Sequence, residues 1–251
     1  MSDLFNLNGK TALVTGANTG LGQAIAIALA EAGADVVAAG RSEAGDTAAK
    51  VRALGRRFLF VPADFASTEP LRRVADAAIA SNGGVDILVN NAGTIRRADS
   101  LDVTEEDWDA VVNTNLRSVF FLSQALARHM AERGGGKIIN IASLLSFQGG
   151  IRVPAYTASK SALAGMTRAL ANEWAALGIN VNAIAPGYFE TNNTEALRED
   201  ANRSAAILAR IPAGRWGRPD DLAGVAVFLA SRASDYVHGA VMPVDGGWLA
   251  R

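Results

Sequence analysis

Residues Lys10 to Gly40, KTALVTGANTGLGQAIAIALAEAGADVVAAG, constrain the fold more than any other stretch of the chain. Thr11 to Thr15 reads as a strand, Leu21 to Ala32 as a helix with apolar residues at helical spacing, and Asp35 to Ala39 as a second strand. This is one βαβ unit. Between its first strand and its helix, Thr15-Gly16-Ala17-Asn18-Thr19-Gly20-Leu21-Gly22 forms a glycine-rich turn. The glycines fall where the chain must bend sharply and where a bulky pyrophosphate approaches backbone amides at a helix N-terminus. Side chains there would block the anion.

The rest of the sequence extends the alternation. Strands are predicted at Phe58 to Ala63, Asp86 to Asn90, Gly136 to Ala142, Asn180 to Ala185 and Val241 to Val244. Helices are predicted at Ala44 to Leu54, Pro70 to Ser81, Thr104 to Arg133, Ala155 to Leu177, Ala196 to Arg210 and Pro219 to Ser231. Seven strands separated by helices imply an α/β fold with a doubly wound parallel sheet and helices on both faces. Near-continuous apolar runs such as Ile87 to Val89 and Lys137 to Ala142 suit strands buried on both sides. In such sheets ligands bind beyond the carboxyl ends of the strands. Gly16, Asp64, Asn90, Ser143 and Pro186 all follow predicted strand ends, so they converge on one edge.

Composition narrows the class. With 251 residues, 49% hydrophobic and 20% charged, the chain suits a single α/β domain spanning residues 1–251, with no evident linker or repeat. The opening residues MSDLFNLNGK carry no apolar signal segment, and no run approaches about 18 apolar residues, so a cytoplasmic protein without a membrane partner is expected. There are no cysteines for disulfide or thiolate chemistry, and the isolated His129 and His238 suggest no metal site. A net charge of −1 provides no basic field for nucleic acid.

A chemical signal lies downstream. Tyr156 and Lys160 are four residues apart, which puts them on one helix face, and Ser143 precedes Tyr156 by 13 residues. A free phenol has a pKa of about 10 and must be lowered to act as a base near neutrality, which a fixed cation does. Oxidation of a secondary alcohol requires a base within hydrogen-bond reach of its hydroxyl. A serine donor can stabilise the negative oxygen that develops during ketone reduction.

Six motifs carry a family resemblance: TGANTGLG (Thr15 to Gly22), NNAG (Asn90 to Gly93), NTN ending at Asn115, IAS ending at Ser143, YTASK (Tyr156 to Lys160) and APG (Ala185 to Gly187). In this order, over essentially the whole chain, they resemble the classical short-chain dehydrogenase/reductases. The resemblance implies a Rossmann-like fold, NAD(H) or NADP(H) as cofactor, and alcohol dehydrogenase or ketoreductase activity. It also implies that Tyr156 is the acid/base and that Ser143 bonds the reacting oxygen. Lys160 would lower the tyrosine pKa and hold the nicotinamide ribose, and Asn115 would anchor a water in the proton relay. Around the cofactor it implies Gly16, Asn18, Thr19, Gly20, Leu21 and Gly22 in the turn, and Asp64 and Phe65 near the adenine. Asn91, Ala92 and Gly93 would lie along the ribose, with Pro186 to Thr191, foremost Pro186, Gly187 and Thr191, around the carboxamide. Asn90 would fix the central strand.

The cofactor signals conflict. Many NAD-specific members carry an acidic residue where this chain has Gly40 followed by Arg41, a pair that tolerates or attracts a 2′-phosphate. Yet Thr19 stands where many NADP users have a second basic residue.

Further stretches, including AGTIRRAD (Ala92 to Asp99) and NVNAIAPGYFETNNTEALR (Asn180 to Arg198), resemble members of the family that act on sugar acids in uronate breakdown. A sugar-acid substrate calls for a guanidinium with amide or hydroxyl partners. Arg96, Arg97, Arg152, Gln148, Asn192 and Asn193 lie in loops flanking the catalytic strand ends, with Arg152 the preferred partner of the carboxylate. Three functions remain open: a sugar-acid dehydrogenase, an oxidoreductase for another polyol, uronate or 3-oxoacyl thioester, and a nicotinamide-binding regulator without turnover. The family implies a homotetramer, which the alanine- and leucine-rich helices suit. Gly246 to Arg251 either reaches a neighbouring subunit or packs on its own chain.

Overall fold

The computed structural model describes residues 3–251. Seven parallel strands form one sheet in the order β3-β2-β1-β4-β5-β6-β7. They are β1 (Thr11–Thr15), β2 (Asp35–Gly40), β3 (Phe58–Pro62), β4 (Ile87–Asn90), β5 (Gly136–Ile141), β6 (Ile179–Pro186) and β7 (Val241–Val244). The order runs outward in both directions from the β1–β4 pair, as in a doubly wound fold, and creates a crevice beyond the carboxyl ends of those two strands.

Strand alternation explains the two cores. Leu13, Val37, Leu88, Ile138 and Val181 point to one face, where α3 (Leu71–Asn82), α5 (Ser118–Glu132) and α6 (Pro154–Trp174) cover them. Val14, Val36, Val89, Ile139 and Ile184 point to the other, under α1 (Gly20–Glu31), α2 (Gly45–Ala53) and α9 (Ala223–Ala230). Polar groups in the first layer are paired: Asn90 donates to Ser123 Oγ (3.0 Å) and to Asn140 Oδ1 (2.9 Å), and Asn140 donates to Thr167 Oγ1 (2.9 Å). Asn90 therefore ties β4 to β5 and α5 and does not line the cleft.

Two predicted helices are interrupted. Thr104 caps α4 (Glu105–Val112) by accepting from Asp107 N, but residues Asn113–Arg117 form a π turn before α5 begins. The turn contains neither glycine nor proline to punctuate it, so the sequence reads as one rod. Likewise Asp200 splits the predicted Ala196–Arg210 helix into α7 (Glu195–Glu199) and α8 (Ala201–Arg210). Its carboxylate accepts from Asn202 N and Arg203 N, at 3.1 and 3.0 Å, and so starts a new helix. The π turn borders the cleft through Thr114.

Candidate active site

The cleft, about 420 Å³ in volume, lies at the carboxyl edge of the sheet. Its floor is the glycine turn. Gly16 and Gly20 have φ of +67° and +58°, and a Cβ at Gly22 would overlap the Gly16 carbonyl and the Asn91 amide. The turn is braced from β4: Asn91 Nδ2 donates to Thr15 O (2.9 Å) and Gly16 O (3.1 Å), while Thr15 Oγ1 accepts from the backbone amides of Asn91 and Ala92. Thr19 stands at the N-cap of α1 without a side-chain capping bond, which leaves the first amides of a 12-residue helix facing the cleft. A bare glycine cradle and an uncapped helix start fit a pyrophosphate.

All the cofactor candidates border this one cleft: Asn18, Leu21, Arg41, Asp64, Phe65, Ala92, Gly93, Pro186, Gly187 and Thr191 join the turn residues, Asn91, Tyr156 and Lys160. Arg41 and Asp64 are exposed at the ends of β2 and β3, and Phe65 is buried beside them. Thr191 leans over the glycine turn, since a Cβ on Gly20 would lie 3.6 Å from its methyl group. Phe189, inside the expected stretch Pro186 to Thr191, lines the cleft too, and Thr94, Ser42 and Thr194 also line it without having been anticipated. They sit next to anticipated residues but carry no motif of their own.

Tyr156 and Lys160 occupy the first turns of α6 and Ser143 follows β5, all three in the cleft wall. Ser143 Oγ accepts from Leu145 N (3.2 Å), which leaves its proton free to be donated. Buried Lys160 donates from Nζ to Ile141 O (2.6 Å) and stands 5.6 Å from the centre of the Tyr156 ring. Burial lowers the Lys160 pKa to about 8. Lys160 is not among the groups that act most on the phenol. Burial dominates and pushes Tyr156 upward, and the Ser143 hydroxyl and the Arg97 guanidinium pull it back. Lys160 gives one of its three N–H donors to β5, a partner that helical spacing alone does not reveal.

Asn115 is fully buried in the π turn and lies behind the cleft wall. Its Oδ1 accepts from Thr94 N (2.8 Å), and its Nδ2 donates to Thr94 O (2.9 Å) and Ser159 Oγ (3.3 Å). Both amide protons are used, and the side chain fastens the loop after β4 to α6.

Substrate-side candidates separate. Arg96 and Asn192 line the cleft beside Ser143 and Tyr156, Arg96 being paired with Asp107 at 3.2 Å. Gln148 and Arg152 do not line it. Gln148 accepts from the Trp248 indole N–H (3.1 Å), and Arg152 pairs with Asp99 (3.1 Å) while its carbonyl accepts from Ala98 N. Arg152 also has φ of +64°, and among the described residues it is the one non-glycine with positive φ. Its backbone and charge are both committed to holding two loops together, so it is not poised for a ligand. Arg97 has no carboxylate partner among the described residues. It donates to Asn193 O (3.0 Å), and its charge is felt by the Tyr156 phenol.

Comparison with known proteins agrees with this geometry. A family model described as enoyl-(acyl carrier protein) reductase matches residues 16–249. A 2-dehydro-3-deoxy-D-gluconate 5-dehydrogenase from Dickeya dadantii is 62% identical over 248 residues, covering 98% of each chain. The chain belongs to the short-chain dehydrogenase/reductase family. A second 2-dehydro-3-deoxy-D-gluconate 5-dehydrogenase, from Escherichia coli, is 61% identical with the same coverage. A crystal structure from Agrobacterium tumefaciens with bound NADP, proposed to be a 2-deoxy-D-gluconate 3-dehydrogenase, superposes with a TM-score of 0.93 at 59% identity, over 100% of both chains. As a short-chain dehydrogenase/reductase, the protein is an oxidoreductase, and the cleft is its candidate active site.

Proposed function

We propose that the enzyme uses a nicotinamide coenzyme to interconvert 2-dehydro-3-deoxy-D-gluconate and 3-deoxy-D-glycero-2,5-hexodiulosonate at C5. The observation that carries this reading is the convergence of Ser143, Tyr156 and Lys160 on the cleft that holds the uncapped glycine turn, in a chain about 60% identical to named dehydrogenases of that sugar acid. The coenzyme's pyrophosphate would rest on the turn Gly16 to Gly22, its adenosine near Arg41 and Asp64, and its nicotinamide end near Pro186 to Thr191. When bound it supplies the hydride acceptor or donor.

The residues then divide the work. Tyr156 Oη takes the proton from the C5 hydroxyl in oxidation and returns it in reduction. Ser143 donates to the same oxygen as negative charge develops on it, a contribution of order a few kcal/mol. Lys160 keeps a cation beneath the phenol. The Asn115 side chain spends both amide protons on Thr94 and Ser159, so a relay water anchored there would have to donate to an oxygen of the π turn. For the substrate carboxylate we replace Arg152 by Arg97, which lies outside the cleft lining but is bonded to the carbonyl of the cleft residue Asn193 and acts electrostatically on Tyr156, with Arg96 and Asn192 as polar contacts in the cleft itself.

We also place the enzyme in the cytoplasm, where nicotinamide coenzymes are recycled, as a single-domain homotetramer. Trp108 on α4 and Phe121 on α5 remain about two-fifths exposed (41% and 42%), apolar surface that neighbouring subunits would cover. The test is a substrate panel of the keto-deoxy sugar acid, gluconate, other polyols and a 3-oxoacyl thioester, each with NAD and NADP, alongside the mass in solution. The reading stands if kcat/KM is highest on the keto-deoxy acid. Preference for a thioester, or coenzyme binding without turnover of any substrate, overturns it.

A further inference from the structure

Gln148, Tyr188 and α8 belong to three segments around the substrate side of the cleft, and one residue touches them all. Trp248 is 4% exposed. Its indole N–H donates to Gln148 Oε1 (3.1 Å), in the loop that follows Ser143. The Tyr188 ring lies 4.7 Å from it at 56°, and the Arg210 guanidinium at the end of α8 stacks 4.1 Å from the indole centre. Trp248, Trp216, Ile207, Ile211 and Leu144 form a small apolar cluster separate from the two sheet cores, on which Leu197 of α7 and Leu208 of α8 also pack.

The backbone around Trp248 is built to reach this place. Leaving β7, Asp245 crosses so close to Gly187 that a Cβ there would press on the Asp245 backbone (2.6 Å). Gly246 and Gly247 then take φ of +64° and +89°, and a Cβ on either would meet Ile211 or Pro212 at 3.0 Å or less. Ala213 N donates to Gly246 O (2.9 Å), the Asp245 carboxylate accepts from Gly247 N and Leu249 N, and Arg251 donates to Ala209 O (2.7 Å). Segment 245–251 is thus a strap folded on its own chain. It brackets Phe189 and Thr191 to Thr194, which line the cleft between Tyr188 and the helices α7 and α8.

We propose that Trp248 is a positioning residue for the substrate half of the cleft. By packing against Tyr188 and Arg210 and holding Gln148, it fixes segment 188–210 beside the catalytic residues without touching the reacting atoms. The assignment of this segment to substrate rests on the sugar-acid reading above; its anchoring by Trp248 does not. Apolar anchoring decides which parts of a protein open locally, so removing the indole should loosen this segment ahead of the sheet.

The test pairs amide hydrogen exchange with kinetics on Trp248→Ala and Trp248→Phe. In Trp248→Ala, amides of 188–210 exchange about tenfold faster while β4 to β6 stay protected. KM for 2-dehydro-3-deoxy-D-gluconate rises about tenfold, kcat stays within about twofold, and the pH profile set by Tyr156 is unmoved. Trp248→Phe keeps the stack and restores most of the protection. Wild-type exchange in 188–210, or equal acceleration of segment and sheet, overturns the proposal, and so does an unchanged KM. If Trp248→Ala does not fold, Arg210→Met is read by exchange in α8 alone: faster exchange supports the strap, and unchanged exchange overturns it. A wild-type enzyme inactive on the sugar acid would break the substrate reading, while the exchange result would still judge Trp248.

Discussion

The two halves of the cleft are built on different principles. The coenzyme half is made from strand ends and backbone: Gly16, Gly20 and Gly22 at a helix start, with Asn91 and Thr15 bonded across β1 and β4. The substrate half is made from long loops and short helices whose side chains choose among several partners. Arg152 chose Asp99, Gln148 chose Trp248, and Arg97 was left free of carboxylates among the described residues. Backbone-built sites leave a motif in the sequence because few residue types fit the geometry. Side-chain-built sites leave only a list of candidates.

The largest effect is expected where the halves meet. Tyr156→Phe should keep coenzyme binding and lose at least ~100-fold in turnover, the scale of a positioned acid/base. Because burial holds the free enzyme's phenol above its ordinary range, kcat/KM for alcohol oxidation should climb as pH rises, since the base form is needed. For ketone reduction, which needs the acid form, it should fall on the alkaline side. Near-normal activity in Tyr156→Phe, or an oxidation profile that declines with pH, would place the proton transfer on another group.

Next comes the backbone half. In Gly22→Ala the new methyl meets the Gly16 carbonyl and the Asn91 amide, the first of which is main chain and yields little. Overpacking of this kind costs about 1–3 kcal/mol, or several degrees in Tm for a chain of this size. Coenzyme affinity should fall with it, because the same shift displaces the amides of the turn. An unchanged Tm with intact coenzyme titration would mean that the cradle is softer than its contacts imply.

The same contrast explains what could be read in advance. The βαβ unit and most of the strand and helix limits follow from apolar periodicity and glycine position, and the cofactor candidates follow from the strand ends. What stayed hidden depended on single local competitions. The π turn at Asn113–Arg117 needs only one extra residue per turn, and the break at Asp200 needs only a carboxylate that prefers capping to continuing a helix. The Lys160 bond to Ile141 O and the Trp248 bond to Gln148 join residues 19 and 100 apart, beyond the reach of spacing arguments.

A smaller effect separates the arginines. If Arg97 meets the substrate carboxylate, Arg97→Ala should raise KM for the sugar acid about 10- to 100-fold, as for loss of a charge-assisted hydrogen bond. An analogue without the carboxylate should lose much less. Arg152→Ala breaks a mostly exposed pair with Asp99, for which a change within about threefold is expected on both substrates. The reverse ranking would return the carboxylate to Arg152 and require the loop joined by Ala98 N to Arg152 O to rearrange on binding.

The smallest effect lies at the far end of the coenzyme half, the one place where that half depends on a side chain. Gly40 offers no carboxylate to the ribose diol and so nothing to repel a 2′-phosphate, and exposed Arg41 follows it with no ion-pair partner among the described residues. A Cβ on Gly40 would come no nearer than 3.8 Å to Gly16, so the fold does not require glycine here. The position is open for coenzyme choice. Both coenzymes should therefore turn over, with modest discrimination between them. Arg41→Ala should lower kcat/KM with NADP by about tenfold or less, as suits a solvent-screened arginine–phosphate contact, and leave NAD within about twofold. Rising salt should shrink the NADP effect, because an exposed pair is screened. Equal losses on the two coenzymes would show that Arg41 points away from the ribose and that selection, like substrate recognition, lies with a side chain that strand-end position does not reveal.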